Sequence, residues 1–282
     1  MSSRLATLIF GRPRDLSDPK TYHHISLIAF LAWVGLGADG LSSSSYGPDE
    51  AFRAVGEHHF LALGLAVATA FTVFIISYAY SRIVEHFPFG GGGYVVASRL
   101  LGPRFGVVSG SALLVDYVLT VSVSIAAGAD AAFSFLPPAW HGWKLVIELA
   151  VIGLLMVLNL RGVKESVTVL APIFVLFLVT HAILIGGVFV VRGWELPQVA
   201  HEVHTGWQHG VATLGFGGIA ALFLRAYSMG AGTYTGIEAV SNGLQIMREP
   251  KVQTAQKTMV YMATSLALTA GGITLAYLLV HA

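Results

Sequence analysis

A carboxylate and four consecutive serines stand inside an apolar run, in the stretch Gly37-Ala38-Asp39-Gly40-Leu41-Ser42-Ser43-Ser44-Ser45-Tyr46-Gly47-Pro48. Hydropathy alone would make the surrounding chain, from about Ser26 to Val55, one membrane helix. In hydrocarbon each unsatisfied polar group costs several kcal/mol, so these side chains cannot face lipid. The stretch is therefore expected to be a broken span, interrupted around Gly37 and Gly40, that lines a protected cavity.

Composition supports a membrane setting. The 282 residues are 55% hydrophobic and only 11% charged, where a soluble domain carries about 25% charged residues. The formal net charge of +1 gives no basic footprint for nucleic acid. The absence of cysteine excludes a disulfide framework, a thiolate metal site and a thiol nucleophile. The first residues carry Arg4, Arg12, Arg14 and Lys20 without the apolar core of a cleaved signal, and read as a cytoplasmic tail.

Runs long enough to cross a bilayer, roughly 20 residues each, fall at about 25–56, 60–86, 104–136, 143–160, 166–191, 212–247 and 256–280. Tyr94 to Leu101 reads as a short helix broken from the third span at Gly102-Pro103. With the N-terminus inside, twelve of the 16 Lys and Arg residues collect on the cytoplasmic side. Arg53, Lys144 and Arg192 collect outside, and Arg225 lies within the sixth span. That asymmetry points to a cytoplasmic N-terminus in a multi-pass protein of the plasma (inner) membrane.

The sixth span is interrupted as the first is, at Gly230-Ala231-Gly232-Thr233-Tyr234-Thr235-Gly236. Two Gly-interrupted spans about five apart are the sequence mark of a transporter site between inverted repeats. The organisation expected is a tail over 1–24, a first five-helix repeat over 25–192, an extracellular loop over 193–211, and the first two helices of a second, incomplete repeat over 212–282. Seven spans against the ten of two repeats lead us to expect a fragment of a longer transporter.

Several polar residues carry the functional reading. Asp39 at mid-span must be paired, protonated or bound to a cation, its structural alternative being a helix cap. Asp116, Thr120 and Ser124 recur every four residues and make one polar stripe on an otherwise apolar helix, which must face the bundle interior. Glu238 follows the second interruption and reads either as a proton carrier or as an acid in the first turn of a half-helix. Asp130, nearer a span end, reads as a solvated charge. Pro88-Phe89-Gly90-Gly91-Gly92-Gly93-Tyr94 lacks the Lys-Ser/Thr of a phosphate loop and reads as a turn that permits close helix approach. His201, His204 and His209 do not complete a zinc set, and His181 reads as a packed or hydrogen-bonded residue. No transition-metal site, cofactor or enzyme activity is expected.

The stretch Asp39 to Glu50 resembles the first-helix motif of the KimA-type potassium–proton symporters. That family belongs to the amino acid–polyamine–organocation superfamily and has the LeuT-type fold. The likeness extends over Gly92-Gly93-Tyr94, over Asp116 to Ser124 and over Leu214 to Gly243. It implies an all-α integral membrane fold of inverted repeats, with helices 1 and 6 discontinuous. It also implies that Asp39, Tyr46, Tyr117, Thr120, Ser124 and Thr235 bind substrate or ion, and that Asp116 and Glu238 handle protons.

The resulting expectation is proton-coupled uptake of a monovalent cation, most simply potassium. Backbone carbonyls bared at Gly37, Gly40, Gly230, Gly232 and Gly236 would join oxygens of Asp39, Tyr46 and Thr235 in replacing the ion's hydration shell. An amino acid would bring its own carboxylate to Asp39. At ~5 Å and an effective dielectric near 20 that repulsion is about 3 kcal/mol, roughly a hundredfold in affinity. Protonation of Asp39 would lift it, so a proton-coupled amino acid or polyamine permease is the alternative. Expected partners are the lipid bilayer, the small cation or amino acid substrate and, for the full-length protein, a second copy in a homodimer.

Overall fold

A membrane-spanning chain must satisfy its backbone polar groups internally, which leaves the helix as the local answer for runs of Leu, Val, Ile, Ala and Phe. The computed structural model describes residues 26–161 and 163–280, and among them helix dominates throughout. The expected tail over 1–24 lies outside the described residues. The helices are α1 (Ala29–Val55), α2 (Leu61–His86), α3 (Gly92–Leu100), α4 (Pro103–Phe133), α5 (Lys144–Arg161), α6 (Val163–Arg192), α7 (Leu196–Met229), α8 (Ile237–Asn242) and α9 (Lys251–Val280). Each of the seven expected spans corresponds to one of these or to a consecutive pair. Length and apolarity alone single out five stretches among the described residues. One of them, Ser166–Ile246, runs across two expected spans. α1 is absent from that set because of its polar middle, yet its 27 residues reach about 40 Å.

The first span is not broken as expected. α1 is helical from Ala29 to Val55, through Gly37, Gly40 and Pro48. The reason lies in the serines, whose hydroxyls bond back onto carbonyls of their own helix. Ser43 Oγ donates to the Gly40 carbonyl at 2.9 Å, Ser44 Oγ to Leu41 at 2.7 Å, and Ser45 Oγ to Ser42 at 2.7 Å. Polar groups satisfied in this way need no opening of the helix. The sixth span is interrupted. After α7 the chain tightens into a 3-10 turn over Gly230–Tyr234, Thr235 is extended (φ −66, ψ 153), and Gly236 turns left-handed (φ 85) before α8.

Residues 193–211, expected as an outer loop, are largely helical: a short turn over Gly193–Glu195 leads into α7. Gly215 (φ 69, ψ 168) kinks α7 and separates its N-terminal half from the part that leads to the interruption. Such a backbone is open to glycine and strained for other residues. The short helix before the third span is present as α3, parted from α4 by Gly102 and Pro103.

Two compact units can be described. The first holds the described residues up to Asp39, with Ser81–Phe174 and Glu238–Thr258. In it Leu27 pairs with Met247 through two backbone hydrogen bonds of 2.8 Å, from Leu27 to Ile246 and from Arg248 to Leu27. Trp33 meets Phe174 edge-on at 4.9 Å. The second holds Gly40–Tyr80, Val175–Ile237 and the chain from Met259 onward. Its core joins Ala51, Val55, Leu61, Leu65, Ile219 and Ala226, and a further cluster joins Phe52, Ala62, Val199, Leu278 and Leu279.

Candidate functional site

In the first unit, helix periodicity aims several polar side chains at one another. Glu238 and Asn242 are four residues apart on α8 and so share a face. On α4, Tyr117 is near both. Asn242 Nδ2 donates to the Tyr117 hydroxyl at 2.8 Å. Tyr117 lies within electrostatic range of three carboxylates, those of Glu238, Asp116 and Asp39. Asp39, half-buried on α1, is also within range of Asp116. The structure thus gathers Asp39, Asp116, Tyr117 and Glu238 from three helices around one phenol. Carboxylates that act on one another in this way favour a counter-cation or a bound proton.

Thr120 and Ser124 continue the Asp116 stripe along α4, about 6 and 12 Å further on. Thr120 is buried and Ser124 partly buried.

The glycine-rich turn before α3 makes the close approach expected of it, and its target is the same face of α8. A side chain on Gly92 (φ 46) would collide with Asn242 Oδ1, and one on Gly90 (φ 81) would lie 3.2 Å from the Asn242 carbonyl. Gln245 Nε2 donates to the Phe89 carbonyl at 2.5 Å. Sequence reasoning gave Asn242 no role. Its only signal was a position one helical turn after Glu238.

In the second unit, the C-terminal part of α1 packs on the interruption of the sixth span. A Cβ on Gly40 would lie 3.2 Å from the Thr235 carbonyl oxygen and 3.3 Å from Leu266. Gly47 rests against Thr233 and the Gly230 carbonyl, and Gly230 against Ala51. The Tyr46 ring lies over Gly232, where a Cβ would be 3.5 Å from Cε2. Thr235 Oγ1 donates to the Gly232 carbonyl at 2.7 Å and so ties the turn together. From α2, Thr69 pairs with the Tyr234 hydroxyl at 3.4 Å and Thr72 with the Tyr227 hydroxyl at 2.5 Å. Tyr46, Thr235, Gly40, Gly230, Gly232 and Gly236 therefore belong to the second unit, and the acidic cluster to the first. Gly37 is an ordinary helical residue of α1.

Three residues set aside on sequence grounds can also be placed. His181 is partly buried, stacks on Phe177 at 3.8 Å and donates from Nδ1 to the Phe177 carbonyl at 2.8 Å. Asp130 is exposed and pairs with Lys144. Arg225 is exposed on α7 and lines a crevice with Arg53 and His58.

A family model described as amino acid permease matches residues 29–282. Over 257 residues the chain is 36% identical to the potassium transporter KimA of Bacillus subtilis (strain 168), covering 89% of this chain and 41% of that protein. Over 119 residues it is 29% identical to the low-affinity putrescine importer PlaP of Escherichia coli (strain K12), covering 41% of this chain and 26% of that one. The chain therefore matches less than half the length of these relatives.

Proposed function

We propose, from the premise that this chain belongs to the amino acid permease family, that it forms part of a secondary transporter coupling proton entry to uptake of a monovalent cation, with potassium as the cargo. The observation that carries this reading is the convergence of Asp39, Asp116 and Glu238 on Tyr117. Carboxylates that converge on one group attract a cation and repel a carboxylated substrate. Asp39 is the cation-holding acid in this reading. Asp116 and Glu238 take protons from outside and release them inside. Thr120 and Ser124 offer further oxygens in the same unit as these acids, and Tyr46 and Thr235 of the second unit are proposed as ion-binding residues on the resemblance alone. The similarity to a potassium transporter supports the choice of cargo. The shorter similarity to a putrescine importer favours, as second reading, an organic cation at the same acids.

The charge asymmetry supports a cytoplasmic N-terminus in the plasma membrane. The full-length protein is proposed to act as a homodimer, which its mass in detergent or nanodiscs would test.

The test is growth of potassium-starved cells that lack other importers, carrying the full open reading frame that contains this chain. Rescue is expected, and Asp39→Asn should weaken rubidium uptake roughly a hundredfold at low concentration. No rescue, or uptake by Asp39→Asn equal to the parent, overturns the cation reading. No rescue together with uptake of labelled putrescine would favour the second. Acid-driven uptake that survives both Asp116→Asn and Glu238→Gln removes the proposed proton carriers.

A further inference from the structure

We infer that Tyr227 is a positioning residue that holds the interruption of the sixth span to α2. The inference rests on the proposal above that Tyr46 and Thr235 bind the ion, and adds the group that keeps their surroundings in shape. All the side chains it uses belong to the second unit.

A break in a spanning helix frees backbone groups that lipid cannot satisfy, so its shape has to be held by other segments. From α1 the hold is close packing, with Gly47 against Thr233, Ala51 against Gly230 and the Tyr46 ring over Gly232. From α2 it is polar. Thr72 Oγ1 is 2.8 Å from the Ala68 carbonyl and 2.5 Å from the Tyr227 hydroxyl. A threonine hydroxyl has one proton and a carbonyl can only accept, so the Thr72 proton goes to Ala68. Tyr227 is then the donor, and its bond to Thr72 has one direction.

Tyr227 passes this hold on to the turn. It stands in the last turn of α7, three residues before Gly230. Its ring meets the Tyr234 ring at 5.6 Å and 40°. Tyr234 is the last residue of the 3-10 turn, and its hydroxyl pairs with Thr69 at 3.4 Å. Thr69 and Thr72 are three residues apart on α2 and so share a face. One tyrosine before the turn and one at its end therefore rest on the same face of one helix. The next residue, Thr235, is tied back to the Gly232 carbonyl by its hydroxyl at 2.7 Å and its amide at 3.2 Å. Freeing Tyr227 from α2 loosens Tyr234, and with it the placement of Thr235.

A site that is in its binding form for a smaller fraction of the time shows a proportionally weaker apparent affinity. The experiment uses the full open reading frame and its variants Tyr227→Phe, Thr72→Val and Thr72→Ser. It measures the KM and maximal rate of rubidium uptake in cells, and amide hydrogen exchange over residues 230–236 in nanodiscs. Surface amount is recorded for each. Tyr227→Phe keeps the ring and loses only the hydroxyl. It should raise KM and speed exchange by about threefold to tenfold, the worth of one hydrogen bond, and leave the maximal rate in place. Thr72→Val should do the same, and Thr72→Ser, which keeps a hydroxyl, should stay near the parent. Tyr78→Phe, an exposed tyrosine of α2, is the control and should change neither quantity. A lower thermal midpoint in Tyr227→Phe with KM and exchange unmoved would make the bond merely structural and overturn the inference. Thr72→Ser behaving as Thr72→Val overturns it as well. If the parent takes up no rubidium, the transport reading falls and exchange alone decides: faster exchange in Tyr227→Phe supports the hold, and unmoved exchange overturns it.

Discussion

Replacing Gly47 by alanine adds one methyl where the C-terminal part of α1 lies against the interrupted span. That Cβ would collide with Thr233 Oγ1 and sit 3.2 Å from the Thr233 nitrogen and 3.3 Å from the Gly230 carbonyl oxygen. Thr233 is 1% exposed, so its side chain has no open space to turn into. The other two neighbours are backbone atoms and cannot rotate away. Overpacking of this kind costs about 1–3 kcal/mol, and the ring of Pro48 crowds the Cβ of the preceding residue further. Alanine in place of a mid-helix glycine returns about 0.5–1 kcal/mol. The net loss is about 0.5–2 kcal/mol. At roughly 2–4 °C per kcal/mol for a chain of this size, the thermal midpoint falls by roughly 1–8 °C. Gly153→Ala on α5 is the internal control. Nothing lies within 4 Å of a Cβ there, so only the helix gain remains and the midpoint rises. Intrinsic fluorescence of the purified protein during heating reads both. Thr233→Ala removes the colliding atom, so the double variant with Gly47→Ala should lose less than the two singles together. A Gly47→Ala midpoint at or above the parent refutes the reasoning, as does strict additivity with Thr233→Ala.

The remaining predictions are shorter. Gly92→Ala should drive a Cβ into Asn242 Oδ1 and lower the thermal midpoint by the equivalent of about 1–3 kcal/mol, and Gly128→Ala on α4, with open space around its Cβ, should not lower it. Tyr227→Phe removes the partner of Thr72 but leaves the bond from Thr72 to the Ala68 carbonyl at 2.8 Å. It should lower the thermal midpoint by the equivalent of about 0.5–1.5 kcal/mol, and an unchanged midpoint would show the Tyr227 pair to be idle.

Much of the molecule could be read from residue order because the bilayer leaves the chain so few choices. Apolar runs of spanning length had to be helices, and Asp116, Thr120 and Ser124, four apart, had to share an inward stripe. Isolated acids at mid-span had to find one another or a cation, and Asp39, Asp116 and Glu238 all lie within electrostatic range of Tyr117. The interruption at Gly230 to Gly236 was visible because three glycines among polar side chains weaken a helix inside an otherwise apolar span. The first span misled for a related reason. Its serines stand three residues after carbonyls they can reach, so the same polar content is satisfied inside an intact helix. Hydropathy counts polar groups and is blind to that geometry.

Tertiary packing decided the rest. Gly40 and Gly47 matter because another segment's backbone lies where their side chains would be, and nothing in α1 itself announces that neighbour. Asn242 looked like a polar residue at the end of a short helix until α4 placed Tyr117 2.8 Å from its amide and the glycine turn closed behind it. Sequence sets which groups must be hidden from lipid, because desolvation is a property of each residue and its span. Which hidden group bonds to which depends on helices brought together from 125 residues apart, and only the fold supplies that distance.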